Sequence, residues 1–201
     1  PVVSRGTGPV GIAYTDEITE PTVAIIPQIR EAKYTGRRGQ GLDLITLSTR
    51  RTAFEHLESR IKSNNYLNNI LGKLEVFDAD ADDGLMLDRD GYVAEACAGN
   101  PFCVHDGALL TPPRANVLDG ITRRTVLGLA ADAGYETREE PLTPYDFVTA
   151  DEAFITSTMT EIEHIASLDG RQVGDGDLGP VTGELIDAYR ELTRTEGFRW
   201  R

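Results

Sequence analysis

Sulfur and positive charge are both scarce in this chain. Its 201 residues include two cysteines, two methionines and one tryptophan. Cys97 and Cys103 are too few for a disulfide framework, so the expected location is a reducing cytoplasm. Lysine and arginine total 20 against 33 acidic residues, a net charge of −13. No basic patch offsets that excess, which excludes nucleic acid and anionic membrane surfaces as expected partners. No apolar run approaches the roughly 18 residues of a membrane span. The first residues, Pro1-Val2-Val3-Ser4-Arg5, do not read as a signal peptide. The three histidines, His56, His105 and His164, lack metal-ligand spacing. Asp78, Asp80 and Asp82 open like a calcium loop, but Asp83 stands where the loop needs Gly and Arg89 where it needs Glu. No phosphate-binding P-loop and no strand-led GxGxxG is present.

Hydrophobic residues make up 40% of the chain, enough for a core, and the pattern reads as one α+β domain over residues 1–201. Thr22–Ile26 reads as a buried strand and Leu42–Ser48 as a second, with a polar loop at Gly36–Gly39 between them. A helix is expected from Tyr66 to Phe77, with Leu67, Ile70, Leu71 and Leu74 on its inner face. Short strands at Leu85–Leu87 and Tyr92–Ala94 flank Asp90-Gly91, and Phe102–Val104 and Ala108–Thr111 flank Asp106-Gly107, two hairpin signals. A second helix is expected over Thr122–Ala133, lined by Val126, Leu129, Ala130 and Ala133 and closed by Gly134. Then come a strand at Tyr135–Arg138, a turn at Thr143-Pro144, strands at Ala153–Ser157 and Glu161–Leu168, and an Asp169-Gly170 turn. A glycine-rich loop, Gly174–Gly179, leads to a last helix after Pro180 with Leu185, Ile186, Tyr189 and Leu192 inward.

Four local features carry possible chemistry. Gly120-Ile121-Thr122 opens the second helix, where free N–H groups and the positive dipole end suit a phosphate. A plain glycine turn with a Thr cap fits the same residues. Thr156-Ser157-Thr158-Met159-Thr160 places four hydroxyls in five residues at a strand end, which also suits a polar turn. Lys62 follows Ile61; partial desolvation there would favour a Schiff-base amine, while an ordinary surface lysine is the alternative. Glu95 follows Val93-Ala94 on a strand, and a half-buried carboxylate there needs a cationic partner.

Taken in order, these features resemble one family: the fold-type IV (class IV) pyridoxal-phosphate-dependent aminotransferases, especially those of branched-chain amino acids. The resemblance rests on Lys62-Ser63-Asn64-Asn65-Tyr66-Leu67-Asn68-Asn69-Ile70-Leu71, Leu87-Asp88-Arg89-Asp90-Gly91-Tyr92-Val93-Ala94-Glu95, Asn100, and Thr111-Pro112-Pro113. It continues through Leu118-Asp119-Gly120-Ile121-Thr122-Arg123, Ala150-Asp151-Glu152-Ala153-Phe154 and Gly179-Pro180-Val181-Thr182. It implies the large domain of that fold, a barrel-like mixed sheet with flanking helices, with pyridoxal 5′-phosphate as cofactor.

By resemblance, Lys62 is the Schiff-base lysine and proton shuttle, and Glu95 holds the pyridinium nitrogen protonated. Tyr66 bonds the phenolic oxygen and Leu118 packs on the ring. Gly120, Ile121, Thr122 and Thr158 hold the phosphate, and Asn100 and Ser157 complete the cofactor contacts. The Thr158-Met159 turn presents N–H groups to the substrate carboxylate.

The implied reaction is ping-pong transfer of an amino group from a branched-chain amino acid to 2-oxoglutarate, by a homo-oligomer that is at least a dimer. The family's small N-terminal domain has no counterpart here, and residues 1–12 stand near its linker. The chain therefore reads as the large-domain part of a longer polypeptide, with an inactive fragment as the non-enzyme alternative. Ser157-Thr158-Met159 replaces the usual Gly-Thr-Ala and is more like the D-amino-acid aminotransferases. Transamination of D-amino acids or (R)-amines, and aminodeoxychorismate lyase chemistry, are the other readings.

Overall fold

The structure, a computed structural model, describes residues 1–8, 20–27 and 40–197. The loop expected at Gly36–Gly39 lies outside them. The chain has two compact units, Pro1–Ala32 and Lys33–Arg201. In the first, β1 (Val2–Ser4) pairs antiparallel with β2 (Thr22–Ala24). Both strands are exposed, as are Ile25 and Ile26. The buried strand expected over Thr22–Ile26 is thus shorter and solvated, because a two-stranded ribbon supplies no second layer to cover its apolar side chains.

The second unit is built on a nine-stranded mixed sheet. Its strands are β3 (Leu42–Thr46), β4 (Asp83–Leu87), β5 (Val93–Ala96), β6 (Asn100–His105), β7 (Ala108–Thr111), β8 (Thr137–Glu139), β9 (Glu152–Ser157), β10 (Glu161–Leu168) and β11 (Arg171–Gln172). The order is β5-β4-β3-β10-β9-β6-β7-β8, with β11 paired to β10. β3 runs parallel to β4 and β10, β7 parallel to β8, and the other pairs are antiparallel. β10 joins the two halves: Glu161–His164 pair with β9, and Ile165–Leu168 pair with β3 across a register shift. Such an irregularity bends a strand and increases its twist.

Period-two alternation then assigns each face. Leu85 and Leu87 of β4, Cys103 of β6, Leu110 of β7, and Ala153 and Ile155 of β9 meet in one core on one side. Their neighbours Phe102, Val104, Leu109 and Phe154 face the other way, under two helices. Those helices are α2 (Ile121–Asp132) and α4 (Pro180–Thr195), which contribute Val126, Ala130, Val181 and Leu185. Phe102 and Phe154, partners in register, stack at 4.9 Å between ring centroids, a contact worth about 0.5–1.5 kcal/mol beyond burial.

Two of the three Asp-Gly pairs form tight turns, while Asp90-Gly91 sits in a five-residue loop between β4 and β5 in which only Gly91 is left-handed, at φ 94°. Asp106 and Gly107 have φ of 49° and 78°, and Asp169 and Gly170 have 53° and 71°. Both residues are left-handed in each pair, as a tight hairpin turn requires. Three helical expectations need correction. α1 spans Leu67–Asp78, but Leu67, Ile70, Leu71 and Leu74, the expected inner face, are 46–64% exposed. The buried residues are Gly72 and Val76; a Cβ on Gly72 would stand 2.8 Å from Leu47 Cδ1, so the Leu47 side chain would have to shift to admit one. Ala133 lies past the end of α2 and is exposed. Thr143-Pro144, expected as a turn, opens a short helix α3 (Pro144–Val148) through a reciprocal capping box of Thr143 and Asp146. Among the described residues no helix is long and apolar enough to cross a membrane.

Candidate active site

A cavity of about 690 Å³ opens where β5, the head of α2, the β9–β10 turn and the segment before α1 converge. That size suits a small molecule of cofactor dimensions. Glu95 of β5 lies in its wall and is 5% exposed, fully buried rather than half-buried as its sequence position suggests. The expected cationic partner is Arg51, whose Nε stands 2.7 Å from Oε1. The Leu118 N–H donates to Oε2 at 2.8 Å. Burial pushes the Glu95 carboxyl above its ordinary range, opposed first by Arg51 and then by the Leu118 N–H and the Asn69 amide. Each oxygen meets a cation or an N–H, the surroundings of an ionised group.

The head of α2 is shaped by close contacts. Asn100 donates from Nδ2 to the Leu118 carbonyl at 2.9 Å, and the Gly120 N–H bonds the same carbonyl at 2.8 Å. A Cβ at Gly120 would meet Asn100 Oδ1 at 2.3 Å, so the position requires glycine. Asn100 therefore holds the loop in place. Gly120 caps the helix with no side-chain bond to its amides. Among the described residues no side chain accepts the first N–H groups of α2, and Thr122 is buried beside them.

α4 begins the same way, with Gly179 at its cap. There, however, Glu152 fills the end: its two oxygens accept the N–H groups of Val181 at 2.9 Å and Thr182 at 2.7 Å. One glycine-headed helix has its own carboxylate, and the other faces the cavity without one.

At the β9–β10 turn, Ser157 Oγ accepts the N–H groups of Met159 at 3.2 Å and Thr160 at 3.1 Å, and lies 2.8 Å from Thr160 Oγ1. Ser157 is thus engaged in closing the turn. The Met159 N–H is held by the same oxygen. Thr158 and Met159 are exposed at the cavity. Lys62 also lines the cavity, but it is exposed, and Ile61 is 65% exposed. The Ser63 N–H closes a tight turn on the Ile61 carbonyl at 2.7 Å, and Lys62 Nζ stands 5.6 Å from the centroid of the Tyr66 ring.

Leu118, Gly120, Ile121 and Thr122 line the same cavity, so the structure brings all the sequence-derived candidates together. Sequence reasoning left Arg51 unnamed and gave Asn69 no role. The signal for Arg51 was the demand of a buried carboxylate for a cation, but nothing in the spacing pairs positions 51 and 95. Cys97 also lines the cavity; burial, then the nearby Asp83, pushes its thiol up to about 12, which removes it as a nucleophile. Among the described residues no cluster of His, Cys, Asp or Glu could hold a metal ion.

The family described as amino-transferase class IV matches residues 1–168. Branched-chain-amino-acid aminotransferase-like protein 1 of Arabidopsis thaliana is 44% identical over 157 residues, 78% of this chain and 28% of that protein. The branched-chain-amino-acid aminotransferase of Pseudomonas aeruginosa is 41% identical over 166 residues, 81% of this chain and 54% of that protein. Among solved structures, the branched-chain amino acid aminotransferase of Thermobaculum terrenum in its PLP-bound holo form superposes with a TM-score of 0.76 at 36% identity, covering 82% of this chain and 55% of that one. The chain thus spans about half, or less, of the length of these relatives.

Proposed function

The chain belongs to the class IV aminotransferase family, and on that footing we propose that it is the large, cofactor-binding part of a pyridoxal-phosphate-dependent aminotransferase. Its fold is that of the fold-type IV branched-chain enzymes. The observation that carries the reading is the joint opening of three groups onto one cavity. These are a buried carboxylate, a helix end without a side-chain cap, and a lysine. They fit pyridoxal 5′-phosphate. The amides of α2 and the Thr122 hydroxyl would hold its phosphate, Glu95 its ring nitrogen, Tyr66 its phenolic oxygen and Leu118 one ring face.

When bound, the cofactor supplies an electron sink and carries the amino group between half-reactions. Lys62 would hold the cofactor through Nζ and, once the substrate amine has displaced it, its free amine would serve as the base that moves the substrate α-proton. The β9–β10 turn orients the substrate carboxylate through the Thr158 N–H. The substrates are a branched-chain amino acid and 2-oxoglutarate, in a ping-pong cycle. Ser157-Thr158, with Met159 crowding the same wall, favours D-amino acids or (R)-amines as the second reading. Self-association completes the proposal, supported by the exposed apolar stripe Leu67, Ile70, Leu71, Leu74 and Phe77 on α1.

The test is absorption spectroscopy with added pyridoxal phosphate. Wild-type protein should develop the visible band of a lysine-bound cofactor, and L-leucine should bleach it. Lys62→Ala should abolish band and turnover with little change in Tm, since Lys62 is exposed. A band that responds only to D-alanine moves the substrate to the D series. Turnover retained in Lys62→Ala overturns the assignment.

A further inference from the structure

Arg51 has no place in the reaction just described, yet it is the cation built most firmly into the cavity wall. Its side chain is nine-tenths buried. Its own N–H bonds the Leu87 carbonyl at 2.8 Å, and its Nη1 donates to Asn68 Oδ1 at 3.1 Å. Asn68 is fixed in turn: Oδ1 also accepts the Thr52 N–H at 3.0 Å, and Nδ2 donates to the Arg50 carbonyl at 2.8 Å. The head of α1 therefore holds the guanidinium in place against Glu95 Oε1.

We infer that Arg51 is a positioning residue that decides where one proton resides: it keeps Glu95 a carboxylate, so that the proton shared between Glu95 and the cofactor ring nitrogen stays on the nitrogen. The inference rests on the reading of Glu95 proposed above. Without a cation beside it, a carboxyl this deeply buried favours its neutral form. A neutral acid still bonds a ring nitrogen, but as the donor, which leaves the ring uncharged and a weaker electron sink. A positive charge touching Glu95 lowers the proton affinity of the carboxylate more than that of a nitrogen farther away, because Coulomb energy falls with distance. The two arrangements contain the same number of protons. Solution pH cannot choose between them, and the fixed charge can.

The first test uses the protein without cofactor. Glutamate is labelled with ¹³C at the carboxyl, the Glu95 signal is identified by its loss in Glu95→Gln, and its titration is followed by NMR. Arg51→Gln should move that titration to higher pH, and Arg51→Lys should restore it. No movement overturns the inference whatever the enzyme does.

The second test adds pyridoxal phosphate labelled with ¹⁵N in the ring. The nitrogen signal should be that of a protonated ring in wild type and Arg51→Lys, and should shift toward the unprotonated position in Arg51→Gln. A nitrogen unmoved by Arg51→Gln but moved by Glu95→Gln refutes the proton placement alone. A nitrogen unmoved by either refutes the role of Glu95 itself. Should Arg51→Gln fail to fold, the double variant Arg51→Gln/Glu95→Gln should regain Tm, since no buried carboxylate is then left without its cation. A double variant no more stable than Arg51→Gln overturns the pairing.

Discussion

α2 and α4 start from similar local sequence, a glycine followed by threonine two positions on in α2 and three in α4, and their first turns meet opposite fates. Gly179-Pro180-Val181-Thr182 closes on Glu152, a carboxylate from β9 that accepts two of its amides. Gly120-Ile121-Thr122 closes on nothing of its own and faces the cavity. Both glycines are sterically required, Gly179 by the Glu152 carboxyl and Gly120 by Asn100. The difference lies in what stands opposite each helix. A helix end satisfied by the chain contributes to stability, and one left for a ligand contributes to binding.

The largest effect should come from removing the internal partner. Glu152→Ala leaves two buried N–H groups without acceptors and should destabilise the protein by about 2–4 kcal/mol, read as a fall in Tm. Its response to pyridoxal phosphate should persist: saturation at a hundredfold excess over Kd stabilises wild type by about 2.7 kcal/mol, and the variant should gain a similar increment. Loss of that increment would break the separation between the two helix ends.

Gly120→Ala should do the reverse. The new Cβ must displace Asn100 and with it the loop at Leu118, so cofactor affinity should fall at least about tenfold, the equivalent of 1.4 kcal/mol, with a smaller Tm change than Glu152→Ala. Thr122→Val keeps the shape and removes one hydroxyl. It should cost about 0.5–1.5 kcal/mol of binding and leave Tm nearly unchanged in the absence of cofactor.

The smallest effect concerns a second pair of backbone amides held by a carboxylate. Glu75 of α1 accepts the N–H groups of Ser48 at 2.7 Å and Thr49 at 2.8 Å. The contact with Thr49 lowers its carboxyl below the ordinary range; burial opposes it, and the backbone N–H groups of Ser48 and Thr49 add to the lowering. A lowered native pKa gives stability that is fully present above the unfolded value and is lost as pH falls through the native one. The Tm difference between wild type and Glu75→Gln should therefore be widest near neutral pH and shrink on acidification. Glu75 is partly solvated, and the expected effect stays below about 1 kcal/mol. A difference that grows on acidification would reverse the sign and remove Glu75 as a cap.

Much of the site was legible because its residues cluster in short strings with local chemistry. Gly120-Ile121-Thr122 announces a helix start, and Glu95 beside Val93-Ala94 announces a buried acid. Asp106-Gly107 and Asp169-Gly170 announced their hairpins because those φ values suit few other residues. α1 shows what periodicity leaves open. Leu67, Ile70, Leu71 and Leu74 do share one face, as their spacing implies, but the buried residues are Gly72 and Val76. Spacing reports which side chains lie together and says nothing about what lies opposite them. α3 was missed because Pro144 reads equally as a turn and as a first helical residue, and the capping box that decides it forms only when Asp146 folds back.

By itself the sequence determined the elements, their turns and the types of chemistry available, because those depend on φ preferences, side-chain period and functional groups a few residues apart. Only the tertiary structure decided which groups meet. It set Arg51 against Glu95 and Glu152 against the head of α4, and it left the head of α2 facing a cavity. Each pairing crosses about 30 to 45 positions of chain. At such separations contact is governed by the strand order and curl of the sheet, which no local pattern encodes.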